Sequence, residues 1–393
     1  MISLDRQSIL TLLQSLVQAP SFPGLPRQEE VTAAALASFF RTQGIPVTMQ
    51  EIRPGRPNLL ASLRGERPGR HLLFCGHTDT VAPNQLTTMN PFAAEIRDGR
   101  MYGRGTVDMK GALAAMAGAM AALKQMRAVR CGGVSLAAVI DEEMESLGAE
   151  ALIHSGVAAD GAIVGEPTQN LVAIGHKGLE WLEAGFSGKA THGGTAEQGV
   201  NAINAAATFI GLIQEQLQPR LVERRHPMLG APSLNIGTIR GGDQPSTVAA
   251  QCIVQIDRRW IPSESVESVL DELQHLLALV RQRMPGLQTA LRRVPGGMAT
   301  MIHGPVEIAP DHPLVSAAQA ARREVYGQSG PLVAFPAWTD ASLLSREGKI
   351  PCIVCGPGDL SLAHSAEESI RLAEVLEAAE IYAMTAQNFL SPA

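Results

Sequence analysis

The chain has 393 residues, about twice the common domain size, so two domains or one large one are expected. Its composition, 45% hydrophobic and 18% charged, is that of a globular protein rather than a disordered one. A formal charge of −6 does not suit a phosphate backbone, which argues against nucleic acid as a partner.

Residues Met1 to Gln18 read as an amphipathic helix, with Ile9, Leu12, Leu13, Leu16 and Val17 at helical spacing. The stretch has no basic region and no A-x-A site, so it is not read as a secretory signal. A second helix is expected over Arg27 to Gln43. Arg70 to Cys75 is a buried strand ending at Gly76. Thr106 to Met126 is a long helix rich in Ala and Met, and Val134 to Ile140 a second buried strand. A short helix at Ala151 to Ser155 and a strand at Ala162 to Val164 follow. This rhythm predicts an α/β domain with a mostly parallel sheet.

The rhythm changes near residue 178. Strands over Leu179 to Ser187, Ser233 to Arg240 and Ala249 to Trp260, with helices over Asn201 to Leu217 and Glu264 to Arg283, have the order of a small α+β sandwich. A helix (Pro313 to Tyr326), a strand (Ile350 to Cys355) and a terminal helix (Glu367 to Asn388) then resume the first pattern. Residues 178–295 are therefore expected to form a domain inserted into a discontinuous one made of 1–177 and 296–393. No apolar run reaches the roughly 18 residues of a membrane span, so no membrane partner is expected. The odd cysteine set, Cys75, Cys131, Cys252, Cys352 and Cys355, lies mostly in apolar runs and predicts reduced thiols in a cytoplasmic protein.

Ligands of open α/β sheets bind outside the carboxyl ends of the strands, and here each buried strand runs into metal-binding chemistry. The first ends in Gly76-His77-Thr78-Asp79-Thr80 and the second in Asp141-Glu142-Glu143. The third ends in Gly165-Glu166-Pro167-Thr168, and the last is followed by Ala363-His364-Ser365. Between them stands the glycine-rich turn Gly103 to Gly111, which contains Asp108. That turn lacks the phosphate-loop lysine, and Asp108 would repel a phosphate. A lone His-x-Asp is more often a surface turn, and a Glu pair more often a solvated helix start. Five such elements at successive strand ends are not explained that way. Imidazole with carboxylate suits Zn²⁺, Co²⁺ or Mn²⁺ better than Mg²⁺ or Ca²⁺.

Together these stretches resemble the M20 metallopeptidase family of acetylornithine deacetylases, succinyl-diaminopimelate desuccinylases, aminoacylases and glutamate carboxypeptidases. The resemblance covers nearly the whole chain. It implies a zinc-binding α/β domain with an inserted α+β domain that serves as lid and dimerisation surface. It implies two Zn²⁺ per subunit, with Co²⁺ or Mn²⁺ able to substitute. His77, Asp108 and Glu166 would hold one ion, and Glu143, His364 and the shared Asp108 the other. Asp79 would hydrogen-bond the His77 imidazole. Glu142 would be the general base that takes a proton from the metal-bridged water nucleophile. The Asp108–Met109 peptide is cis in the family.

The inserted domain carries Ser187 to Gly194, which resembles the family segment whose histidine, here His192, stabilises the oxyanion of the partner subunit's site. Ala196 stands where a proline is usual. Arg259 aligns with an arginine that grips the substrate carboxylate; Arg258 and Arg259 face opposite ways on a strand, so only one can do this. Ser246 replaces a usual asparagine. Trp338-Thr339-Asp340-Ala341 resembles a Gly-Thr-Asp-Ala segment, so Thr339 and Gly358 are expected near substrate. The Cys352 and Cys355 pair and the Met residues of the long helix read as core. The implied activity is hydrolysis of the amide of an N-acyl amino acid by a homodimer, with a dipeptidase or carboxypeptidase acting on short peptides as the alternative. A non-catalytic binder is disfavoured because every ligand position and Glu142 are filled.

Overall fold

The structure is a computed structural model that describes residues 2–83, 90–295 and 301–390. The chain divides into two compact units. One comprises Met1–Gly175, Val306–Phe335 and Thr339–Ala393, the other His176–Pro305 and Pro336–Trp338. The expected boundary at residue 296 falls outside the described residues.

The first unit is built on one large sheet, whose strands run in the order Val47–Arg53, Arg56–Arg64, Cys131–Val139, Arg67–His77, Gly161–Val164, Cys352–Val354, Val172–His176, Val306–Glu307. Its four central strands, from Cys131–Val139 to Cys352–Val354, are parallel, as the sequence predicts, and the flanking pairs identified in register are antiparallel. Three of the central strands are buried along nearly their whole length, and Arg67–His77 from Leu72 onward, which is why these stretches read as apolar runs. The helix Gly111–Gln125 buries twelve of its residues, and this explains its lack of a polar face. Ile9 of Arg6–Val17 packs onto Gly118, where any Cβ would collide with its side chain. Tyr382 of Leu372–Leu390 packs on Phe74, centroids 5.5 Å apart, and donates its hydroxyl to the Cys355 carbonyl.

The second unit holds a four-stranded antiparallel sheet in the order Ser233–Gly241, Gln251–Trp260, Gly178–Ser187, Gln288–Arg293. Along Gln251–Trp260, Cys252, Val254, Ile256, Arg258 and Trp260 alternate inward. The apolar members join Phe209 of Ala202–Leu212 and Leu273 and Leu276 of Val266–Arg283 in one core. No described helix is long and apolar enough to cross a membrane.

Candidate metal centre

The parallel strands of the first unit bring their carboxyl ends together. The Thr78 N–H and hydroxyl both donate to the Val139 carbonyl, at 2.8 and 2.9 Å, and so lock the ends of two neighbouring strands in register. His77 ends one of these strands, and Glu142 and Glu143 follow the other. Glu166 follows Gly161–Val164. Gly356 accepts the N–H groups of Thr168 and Asn170 beside it, and a Cβ at Gly356 would strike the Gly165 carbonyl, so the close approach needs glycine. Asp108 sits in the tight turn Thr106–Lys110 ahead of the long helix, and its peptide to Met109 is cis. His364 lies past the Leu360–Leu362 turn in a left-handed conformation, φ 60°.

The Asp108 carboxylate faces two histidines. One oxygen lies 2.9 Å from His77 Nε2 and the other 3.2 Å from His364 Nε2. Glu166 stands 3.7 Å from the same His77 nitrogen, and Glu143 3.1 Å from that of His364. The donor atoms of His77, Asp108 and Glu143 all lie within 4.8 Å of one another. The five residues expected as ligands are thus brought together, and Glu142 is buried close enough to feel the charges of His77, Glu166 and Glu143.

Asp79 is arranged differently from the expectation. Its backbone carbonyl, not its carboxylate, is the closer partner of His77 Nδ1, at 3.0 against 3.6 Å. With Nδ1 donating to that carbonyl, Nε2 is the nitrogen directed at Asp108: it donates to the carboxylate when protonated, and in the neutral ring it is the atom that would hold a cation. The carboxylate instead accepts the N–H groups of Glu142 and Glu143, at 3.2 and 3.1 Å, and so orients the loop carrying both acids. Asp141, on the other side of Glu142, pairs with Arg56, which also holds Glu29.

The electrostatics are those of crowded, dry acids. Burial pushes Glu142 well above the usual carboxylate range; nearby His77 opposes this and Glu166 adds to it. Burial does the same to Glu166, reinforced by Asp108. Asp340 is pushed up to about 7 by burial against the pull of His77. Burial would raise Asp108 too, but hydrogen bonds to His364 and His77 outweigh it and hold the group low. Hydrogen bonds to Asp108 and Glu143 raise His364 to about 10. Four carboxylates, those of Asp79, Asp108, Glu143 and Glu166, thus lie within 4 Å of two imidazoles, with Glu142 and Asp340 buried nearby. That excess of buried negative charge, with imidazole and carboxylate donors and no thiolate, fits divalent cations of the zinc type.

The other expected residues lie apart from this cluster in role. Thr339 is fully buried, and its hydroxyl accepts the Ala341 N–H at 3.1 Å. The Gly358 carbonyl accepts the Gln169 N–H. In the second unit, Arg259 forms a two-pronged pair with Asp257 at 2.8 and 3.0 Å, while Arg258 turns inward to Glu264. His192 is exposed and caps the turn Gly193–Gln198: its Nδ1 accepts the Gly194 N–H at 3.1 Å, which in a neutral ring puts the proton on Nε2 as an outward donor. The loop is pinned by the Ser246 carbonyl, so the Ser246 departure falls where backbone makes the contact.

Sequence reasoning missed two groups. Arg104 and Glu368 form a buried pair at 2.5 Å beside Asp108. His303 packs against Trp338 with the rings tilted by 55° and centroids 4.5 Å apart. Neither Glu367-Glu368 nor a lone histidine carries a pattern that could have found them.

Known proteins resemble the chain over nearly its whole length. Residues 73–388 match the family described as Peptidase family M20/M25/M40. The chain is 28% identical to acetylornithine deacetylase of Proteus mirabilis over 97% of each sequence. Aminopeptidase PepT of Bacillus cereus superposes with a TM-score of 0.80 at 22% identity, covering 99% of this chain and 100% of that one. YXEP of Bacillus subtilis, a dinuclear metal-binding peptidase from the M20 family, superposes at 0.73 with 16% identity over 98% of each chain. With two thirds of its length and more inside the match, and histidines and acids gathered at its strand ends, the chain belongs to the M20/M25/M40 peptidase family.

Proposed function

We propose that the chain is a metal-dependent deacylase that hydrolyses the amide of an N-acyl amino acid, with acetylornithine-type substrates first. The observation that carries the reading is Asp108, whose two oxygens face two separate histidines, each backed by its own glutamate. Full-length similarity to an acetylornithine deacetylase supports the substrate class. Residues 1–177 and 296–393 are read as the catalytic domain and 178–295 as a lid and dimerisation domain. His77, Asp108 and Glu166 would hold one Zn²⁺, and Asp108, Glu143 and His364 a second.

When bound, the two cations would supply Lewis-acid activation of water and of the amide carbonyl. The other tasks fall to the protein. Glu142, whose burial raises its affinity for a proton, starts ionised in the field the bound cations would supply, accepts the proton of the attacking water and passes it to the leaving nitrogen. Asp79 fixes the backbone of the Glu142 loop and so the direction of that carboxylate. His192 presents an Nε2–H that suits a developing oxyanion, contributed from one chain of a homodimer to the site of the other. Arg259 would grip the substrate carboxylate by exchanging its Asp257 partner for it.

The test is a screen of N-acetyl, N-succinyl and dipeptide substrates after chelation and reconstitution with zinc or cobalt. The reading expects N-acetyl amino acids to give the highest kcat/KM. Faster turnover of dipeptides would make the protein a peptidase of the same family.

A further inference from the structure

The two loops that carry Asp108 and His364 hang on one buried ion pair. Arg104 and Glu368 are 3% and 2% exposed, with Nη1 2.5 Å from Oε2. The other Glu368 oxygen accepts the N–H groups of Val107 and Asp108, at 3.0 and 3.3 Å, and so holds the backbone of the aspartate that faces both histidines. The second arm of the Arg104 fork reaches the carbonyls of His364 and Ser365, each at 3.4 Å. The Glu368 carbonyl accepts the Gly103 N–H at 3.0 Å and closes the ring. His364 needs such a hold: its side chain is 49% exposed and its backbone is left-handed, a conformation that costs a non-glycine residue about 1 kcal/mol.

We propose that Arg104 and Glu368 are positioning residues that act as one unit, tying the Asp108 loop to the His364 loop so that the second cation site is built from the first. The inference rests on the ligand assignment proposed above. Glu368 orients the shared carboxylate and therefore serves both sites. Arg104 relays that position to His364 alone. A planar guanidinium can hold a carboxylate and two carbonyls at once, whereas a lysine ammonium in its place keeps the charge opposite Glu368 but cannot span both. The two residues should therefore fail in different ways.

The test is Co²⁺ titration of the chelated, full-length protein, read by calorimetry and by the visible spectrum of each bound equivalent. Wild type should bind two equivalents. Arg104→Lys should weaken the second equivalent by about 10- to 100-fold and the first by less than about threefold, in the range for residues that orient metal ligands. Glu368→Gln should weaken both. Thermal unfolding of the metal-free variants separates this from lost stability, which would move melting but not the ratio of the two affinities. Unchanged affinities in either variant, or equal losses at both sites in Arg104→Lys, would overturn the inference. Because Glu368→Gln is judged by itself, a failure of Arg104→Lys to fold does not protect the idea. Wild-type protein that never exceeds one equivalent would instead overturn the ligand assignment.

Discussion

Replacing His303 with phenylalanine should remove an acid-dependent loss of stability from the second unit. His303 is 0% exposed, and among the described residues neither ring nitrogen makes a well-formed hydrogen bond, the Met301 backbone being its one weak polar neighbour. Burial, then the positive charge of Arg293, lowers its pKa from 6.5 to about 4, and the Met301 backbone offsets only part of this. The unfolded chain keeps the ordinary value, so between pH 6.5 and 4 it binds more protons than the folded chain. Stability contributed by the neutral ring is therefore complete well above pH 6.5 and is lost as pH falls toward 4. At pH 5.5 the loss relative to pH 8 is RT ln(11/1.03), about 1.4 kcal/mol. His176, also pushed to about 4 by burial, adds a parallel slope that stays in both proteins. The assay is urea unfolding followed by tryptophan fluorescence. All three tryptophans, Trp181, Trp260 and Trp338, belong to the second unit, so the signal reports that unit and not the acid-rich centre of the first. Phenylalanine keeps an aromatic ring against Trp338 and cannot be protonated. Between pH 8 and 5.5 the variant should lose about 1.4 kcal/mol less than wild type. Equal losses would refute the argument and mean that the ring finds a proton acceptor when charged.

Elemental analysis after zinc reconstitution should approach about two equivalents per chain, with His77→Ala and His364→Ala each losing mainly one and Asp108→Ala disturbing both. Glu142→Gln should lower activity by about two to four orders of magnitude at near-normal metal content, the range for loss of a general base; near-wild-type turnover would show that the base lies elsewhere. Mixing inactive Glu142→Gln and His192→Ala chains should restore up to about a quarter of wild-type activity if one chain's His192 serves the other's site. No recovery with verified subunit exchange would mean that His192 acts within its own chain or not at all.

The elements legible in the sequence were those whose burial leaves a one-dimensional trace. Leu72–Cys75, the inner part of Arg67–His77, and Val134–Val139 of Cys131–Val139 are mostly apolar runs because both faces are covered, and their ligands stand out because polar residues break those runs at the strand ends. The antiparallel strands Val47–Arg53 and Arg56–Arg64 were missed: no residue of the first is fully buried, so it leaves no apolar face, and the second starts at a charged turn. Gln288–Arg293 was missed for the same reason, its polar residues alternating with half-buried ones at the sheet edge. The long helix was expected from Thr106, but its first turn is wound differently, because Asp108 leaves helical geometry where the Glu368 carboxylate holds its amide. Pattern reads apolar faces, whereas an ion pair between residues 264 positions apart leaves no periodic mark.

The order of strands in the large sheet has a consequence for how the protein is made. Gly161–Val164 lies between Arg67–His77 and Cys352–Val354, so one of its edges waits for a strand encoded nearly two hundred residues later. On the ribosome, at about 5–20 residues per second, that apolar edge would stay open for roughly ten seconds or more. The segment from His176 to Pro305, whose sheet and helices are local in sequence, emerges in between and can fold first. His364 emerges after the missing strand. The nascent chain therefore carries its acids to the strand ends before it carries the last histidine that faces them, and cellular yield should depend on chaperones that cover a parallel-sheet edge rather than on metal supply during synthesis.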